Sequence, residues 1–527
     1  MTRSRFIGNA ERTVLLGSLV LVSGLLFLQP AVRAQNSERQ IISDAAAALG
    51  GRDRILAVKT LVIEGAGHDM GVGQAQRYDE LGLQSDVGQI RDYKRAYDLA
   101  NGRARFEATR ELQYPFYQGE GGAHQVQGLD GNVAFNVAAN GNTTRVFAPQ
   151  AINARRVEFL RHPLTIVRAA LDPAAKLTNV RNQGDDRLVD ITTNGVTVAL
   201  AIDSATKLPT RVVQMTDSAT LGDTSVETRF GDYRNVSGLQ LPTRFTTKTD
   251  RFPSADLRIL KQTVDGNVGN LAAPASVASA APPANAGQPA TSPVTVQEVA
   301  KGVWFITGTT HHSLLAEFSD HLMLIEAPSE ERTLAVLAKA RDLRPNKPVT
   351  TLLVTHHHND HTSGVRTAVA EGVTEIVTHK SNVAYINEVL KRPHTINPDR
   401  LTKKPSVKPV KVIAIDDEGV VKDNAMTINL YHILDNTHAD SMVMIYFPAG
   451  RILTEADVYM PNDDRNIIEG EPLGHAPWLQ NLLANITLRK LQVDHIAPIH
   501  GEYVPYSQFL ESVITMTQFV PGRAPTN

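Results

Sequence analysis

Apolar and polar positions alternate along this chain in three distinct regimes. The first is an apolar run from Val14 to Leu28, preceded by Arg3, Arg5 and Arg12 and followed by Val32-Arg33-Ala34. A positive start, a short apolar stretch and a small-residue site predict a secretory signal over residues 1–34, cleaved before Gln35. The run falls short of the roughly 20 apolar residues of a membrane-spanning helix, and no later stretch replaces it. The expected location is therefore periplasmic or secreted, with no stable membrane insertion after signal cleavage.

The second regime, residues 35–268, opens with a helical pattern over 41–49 that Gly50-Gly51 stops. Short alternating runs follow at 60–64, 104–108, 133–137, 188–192, 197–202, 211–214 and 241–247, with turn pairs Asp130-Gly131 and Asn140-Gly141 between some of them. Period-two alternation broken by such pairs predicts a mostly antiparallel β domain. Residues 269–293 then lose the alternation. They are rich in Ala, Pro, Ser and Gly and carry no charge, a composition that predicts a flexible linker.

The third regime, 294–527, starts with the strand patterns VWFITG, LLAEF and LMLIEAP, and residues 333–343 read as a helix ended by Pro345. The buried-strand pattern VTTLLVT runs directly into HHHNDHTSG, His356 to Gly364. Residues two apart in an extended segment project to one side, so His356 and His358 can reach one metal while His357 points away. Asp360 and His361 follow as the chain turns into a helix, placed for a second metal.

Composition sharpens this picture. The chain has 527 residues and no cysteine, which excludes disulfides, thiolate metal sites, iron–sulfur clusters and a cysteine nucleophile. With 53 Lys+Arg against 55 Asp+Glu the net charge is −2, so no basic field for nucleic acid is present. Of 17 histidines only His68, His124 and His162 precede the linker. Imidazoles crowded into the last regime point to metal chemistry there.

The H-x-H-x-D-H run after an apolar strand resembles the metallo-β-lactamase superfamily, and Asn436-Thr437-His438, ILTEADVY with Asp457, and IAPIHGE with His500 follow in that family's order. The resemblance covers residues from about 296 onward. It implies an α/β fold, an αββα sandwich behind the β-rich accessory domain. By analogy His356, His358 and His438 hold one zinc, Asp360, His361 and His500 hold the other, and Asp457 bridges. Two zinc ions per chain, with iron as the alternative metal, would activate a bridging hydroxide against an ester, lactone, thioester or amide-like bond of a small-molecule substrate, with Asp360 orienting it.

Aspartate at 457, where some lactamases carry cysteine, resembles lactonase-like and glyoxalase-II-like members, and Val458-Tyr459-Met460 lacks the lysine that some lactamases use for a substrate carboxylate. His358 stands where oxygen-reducing di-iron members have glutamate. Glu326 stands where many members have aspartate. Tyr459 and His312 are candidates for contact with substrate or with a ligand; His475 and Trp478 lie nearby in sequence, Trp478 at the start of an apolar helical pattern. β-Lactamase activity proper, a mononuclear iron persulfide-type oxygenase, and an apolar-ligand carrier with a secondary metal domain are the competing readings. The carrier reading comes from LAIDSATKLPTRVV and DYRNVSGLQLPTRFT, within residues 185–265, which resemble the periplasmic lipoprotein-carrier half-barrel.

Overall fold

A computed structural model describes residues 37–79, 87–112, 123–283, 292–461 and 476–517. The expected signal at 1–34 and His475 lie outside the described residues. Among the described residues no helix is long and apolar enough to cross a membrane.

The front domain is built on one sheet of 13 strands in which every neighbouring pair is antiparallel. Two meanders meet at its centre, where Thr60–Met70 pairs with Phe252–Val264. One meander ends at Thr143–Val146 and the other at Lys176–Gln183. Each of the seven expected runs lies inside one of these strands, which are all as long or longer. Strands such as Gly222–Val236 escaped the pattern because polar groups fill most of their outward positions and few apolar ones mark the inward face. The opening helix, residues 37–49, ends where Gly50 and Gly51 take φ of 128° and 102°, conformations open to glycine alone at low cost. It packs with helices Pro149–Leu160 and Pro163–Leu171 on one face of the sheet through Ile42, Leu49, Val157, Leu164 and Ile166.

The expected linker is docked over its first half. Arg145 donates to the carbonyls of Ala278 and Ala280 at 2.8 and 2.9 Å, Asp130 accepts from the Ala273 amide, and Leu271 and Val277 are buried. Those bonds and two buried side chains offset the ordering entropy that composition alone leaves unopposed.

The second domain has two facing sheets. One carries seven strands from Thr295–Ala300 to Lys411–Ile415, the last four running parallel; the other carries six, from Glu418–Lys422 to Val504–Pro505. Alternation along the first sheet sorts its side chains: Val303, Phe305, Met323, Ile325 and Leu353 enter the core between the sheets, while Trp304, Ile306, Leu322, Leu324 and Leu352 pack beneath helices Glu330–Leu343 and Val383–Lys391. Burial on both faces is why these strands read as continuous apolar runs. Helices Ala476–Leu488 and Tyr506–Thr517 cover the second sheet with Leu482, Ile486 and Phe509, completing an αββα sandwich.

Candidate metal centre

Strand Val349–Leu353 delivers the chain into Thr355-His356-His357-His358, all buried, before the single turn Asn359–Thr362. Gly364 follows where a Cβ would press on the carbonyls of Ser329 and Ala327 at 2.6 and 2.8 Å, so only glycine lets the chain pass. The other ligand candidates arrive from the second sheet. Asn436 holds their first loop by accepting from the His438 and Ala439 amides at 2.9 and 3.0 Å. Glu455 holds the next by accepting from the Val458 and Tyr459 amides at 3.0 and 3.2 Å. Burial pushes the Glu455 carboxyl up to about 8.

His356, His358, His438 and Asp457 form one group, and His311, Asp360, His361 and His500 a second, each with its ligand atoms within 4.8 Å of one another. Asp457 joins them. Its Oδ2 lies 2.9 Å from His438 Nε2 and 3.5 Å from His356 Nε2, and its Oδ1 lies 2.9 Å from His500 Nε2 and 3.0 Å from His361 Nε2. Both Asp457 and Glu326 hold positive φ, 59° and 70°, a conformation uncommon for residues with a Cβ.

The outward nitrogens show which nitrogen faces the centre. His361 Nδ1 donates to Glu326 at 2.6 Å, His500 Nδ1 to the Thr310 carbonyl at 2.8 Å, and His358 Nε2 to the Ala75 carbonyl at 3.0 Å. Each acceptor lacks a proton of its own to give, so in the neutral ring the proton sits on the outward nitrogen and the lone pair on the inward one. His358 Nδ1 and His356 Nε2 are buried with no hydrogen-bond partner. Buried imidazole lone pairs converging beside a carboxylate, with outer nitrogens anchored, are the donor set and support that a transition metal takes. The residues fit.

Charge follows the same logic. Burial pushes His356 down to about 3, so it is neutral. Burial also opposes a charge on His361, but Asp457, Asp360 and Glu326 outweigh it and hold this imidazole well above its ordinary value. Burial disfavours the Asp457 carboxylate, yet His361 and His500 keep it ionised well below the usual range. Three carboxylates around so small a volume call for positive charge.

All seven ligand candidates named from the sequence meet here. The other candidates are placed differently. His312 turns to the core, its ring edge-on to Phe305 and its Nδ1 accepting from the Gly308 amide, while its neighbour His311 faces the cluster with Nε2 3.2 Å from Asp360 Oδ2. Adjacent residues entering strand Ser313–Glu317 point oppositely, so choosing between them required the phase of that strand. Tyr459 is buried against Phe509 with its hydroxyl 3.5 Å from Ser512 Oγ. Trp478 is buried, donates to Thr437 Oγ1 at 2.8 Å and packs edge-on to His438. Glu326, despite its extra methylene, reaches both His361 and the Thr355 amide, the latter at 2.7 Å.

Residues 306–500 match the family described as the Metallo-beta-lactamase superfamily. The second domain has the metallo-β-lactamase fold. Similar solved structures include a metallo-beta-lactamase from Pontibacter korlensis, 16% identical, covering 43% of this chain and 100% of its own, with a TM-score of 0.32. The metallo-beta-lactamase FIM-1 from Pseudomonas aeruginosa in its mono-zinc form is 18% identical, covering 44% of this chain and 98% of its own, TM-score 0.31. The rubredoxin oxygen:oxidoreductase of Desulfovibrio gigas is 12% identical, covering 42% of this chain and 61% of its own, TM-score 0.34. No curated protein matches the sequence. In this second domain both donor groups belong to loops at one edge of the sandwich.

Proposed function

We propose that this protein is an exported, zinc-dependent hydrolase that cleaves an ester, lactone, thioester or amide-like bond in a small molecule. The supporting observation is the Asp457 carboxylate shared between two His/Asp groups. Zinc held there, by His356, His358 and His438 on one side and Asp360, His361 and His500 on the other, would supply Lewis acidity and water of near-neutral pKa. The two aspartates divide the remaining work. Asp457 is enclosed, with 6% of its side chain exposed, and serves to hold and space the imidazoles. Asp360 has 38% exposed and is kept ionised against the cost of its burial by His361 and His311. A partly exposed carboxylate beside the cluster can take a proton and hand it to a leaving group.

Metal analysis with a hydrolysis panel of nitrocefin, acyl-homoserine lactones, thioesters and p-nitrophenyl esters tests the reading. Two zinc per chain and turnover of one class are expected. A chain loaded with a single iron, consuming oxygen and hydrolysing nothing, overturns it in favour of the oxygenase.

A further inference from the structure

The front domain reaches the metal centre itself. After strand Thr60–Met70 the chain leaves the front sheet, and residues 72–77 lie against the motif His356–Asp360 and the loop that carries His438. Ala75, 2% exposed, presents its carbonyl to two imidazoles, His357 Nε2 at 2.8 Å and His358 Nε2 at 3.0 Å. The Gln74 amide donates to Asn359 Oδ1 at 2.6 Å and to Asp360 Oδ1 at 2.8 Å. Gly73 accepts from the Asn359 amide, Gln76 donates to the Asn436 carbonyl at 3.2 Å, and the Gln76 carbonyl accepts from the Asp440 amide at 3.0 Å. One short segment thus grips two of the three loops that carry the first donor group.

We propose that the front domain is a working part of the metal centre: Ala75 and Gln74 are positioning residues that set the orientation of His358 and Asp360 for metal. A carbonyl oxygen has two lone pairs and no proton. It can accept from His357 and His358 together, and each bond aims a ring. With Nε2 committed to Ala75, His358 offers only Nδ1 inward, the nitrogen that is buried without a partner. Gln74 occupies one oxygen of Asp360 and leaves the other free toward His311 and His361. His357, set aside as a ligand because it points the other way, is the clamp that locks the loop down; its Nδ1 lies 3.3 Å from Ser441 Oγ.

Placement of the loop does not depend on Gln74 alone. Arg251 bonds both oxygens of Glu388 at 2.7 and 3.0 Å, Arg392 bonds Asp250 at 2.6 Å, and Asp223 accepts from the Thr395 and Ile396 amides at 2.8 and 3.0 Å. These contacts hold the two domains together away from the metal cluster, so a change at Gln74 leaves the domains docked.

The inference rests on the metalloenzyme reading and is tested by metal affinity rather than turnover. Full-length protein, stripped of metal, is titrated with zinc against a chromophoric chelator, beside Gln74→Ala and a variant with residues 72–77 replaced by three glycines. Groups that orient a ligand typically cost 10–100-fold in affinity when removed. The glycine loop is expected to weaken at least one zinc equivalent by that factor, and Gln74→Ala by up to about tenfold, each without undocking the domains. A lower melting temperature of the metal-free variants with zinc affinity unchanged from wild type would overturn the inference and leave the hydrolase reading standing. A wild-type protein that takes up no zinc would overturn both.

Discussion

Glu326 and His361 are both fully buried, and carboxylate Oε2 sits 2.6 Å from imidazole Nδ1 while Oε1 takes the Thr355 amide. One side chain therefore orients a ligand and pins the backbone that leads into the metal motif. Replacing it with glutamine keeps the shape but must present an NH2 to one of two donors. Glu326→Gln is expected to lower zinc affinity by about 10–100-fold and stability by about 1–3 kcal/mol, the cost of a buried group left unpaired. Chelator competition and urea unfolding check the two effects, and wild-type values in both would refute the assigned role.

Asp457 contacts imidazoles of both groups, so its loss reaches both. Asp457→Ala is expected to reduce metal content from two per chain to one or none and to abolish turnover, as measured by metal analysis on purified protein. Two tightly held metals in this variant would show that the carboxylate does not bridge.

Asp360 is the ionised carboxylate with an open side. Asp360→Asn retains the size and one acceptor oxygen but cannot take up a proton. Turnover is expected to fall by about 10²–10⁴-fold, the usual range for a lost general acid–base group, while the group around His356 still binds metal. The pH–rate profile should lose its acidic limb along with the rate. An unaltered profile would move the proton-transfer role elsewhere.

His162 lies between two helices of the front domain, far in sequence from every metal ligand. Its Nδ1 accepts from the Leu164 amide at 3.2 Å and its Nε2 donates to Gln262 at 3.1 Å. Burial pushes it from 6.5 down to about 4. The folded protein therefore resists a proton that the unfolded chain accepts. Stability from this group is complete above pH 6.5 and declines as pH falls toward 4, by about 3 kcal/mol. His162→Gln should flatten that decline by a similar amount in urea unfolding compared at pH 7 and pH 4; parallel curves for the two proteins would contradict the assignment.

Ligand types were legible because they are local or ordered. The run His356–His361 follows one strand, and the backbone geometry of an extended segment says which of its imidazoles can share a metal. His438, Asp457 and His500 were legible through their order along the chain. A helix end was legible where glycine stands, as at Gly50, whereas the helix expected from 333 begins at Glu330, where the Ser329 hydroxyl takes the Arg332 amide. Helix Pro149–Leu160 was missed because its apolar residues do not gather into one face; Arg155 is buried instead, bonded to the Gly128 and Phe135 carbonyls.

By itself the sequence determined the donor chemistry: no thiolate, crowded imidazoles, a carboxylate at 457, and a β-rich domain ahead of an αββα one. The missing thiolate, the crowded imidazoles and the β-rich front domain follow from residue identity and short-range periodicity, whereas the αββα domain and the role of the carboxylate at 457 came through the resemblance to the metallo-β-lactamase superfamily. Tertiary structure alone decided that His311 rather than His312 faces the cluster, that Glu455 braces the Asp457 loop, and that Gln74 and Ala75 belong to the centre. Ala75 meets His358 across 283 positions of sequence, and its contribution is a backbone carbonyl that every residue carries. A group common to all residues leaves no mark in composition or spacing, so only the path of the folded chain reveals where it points.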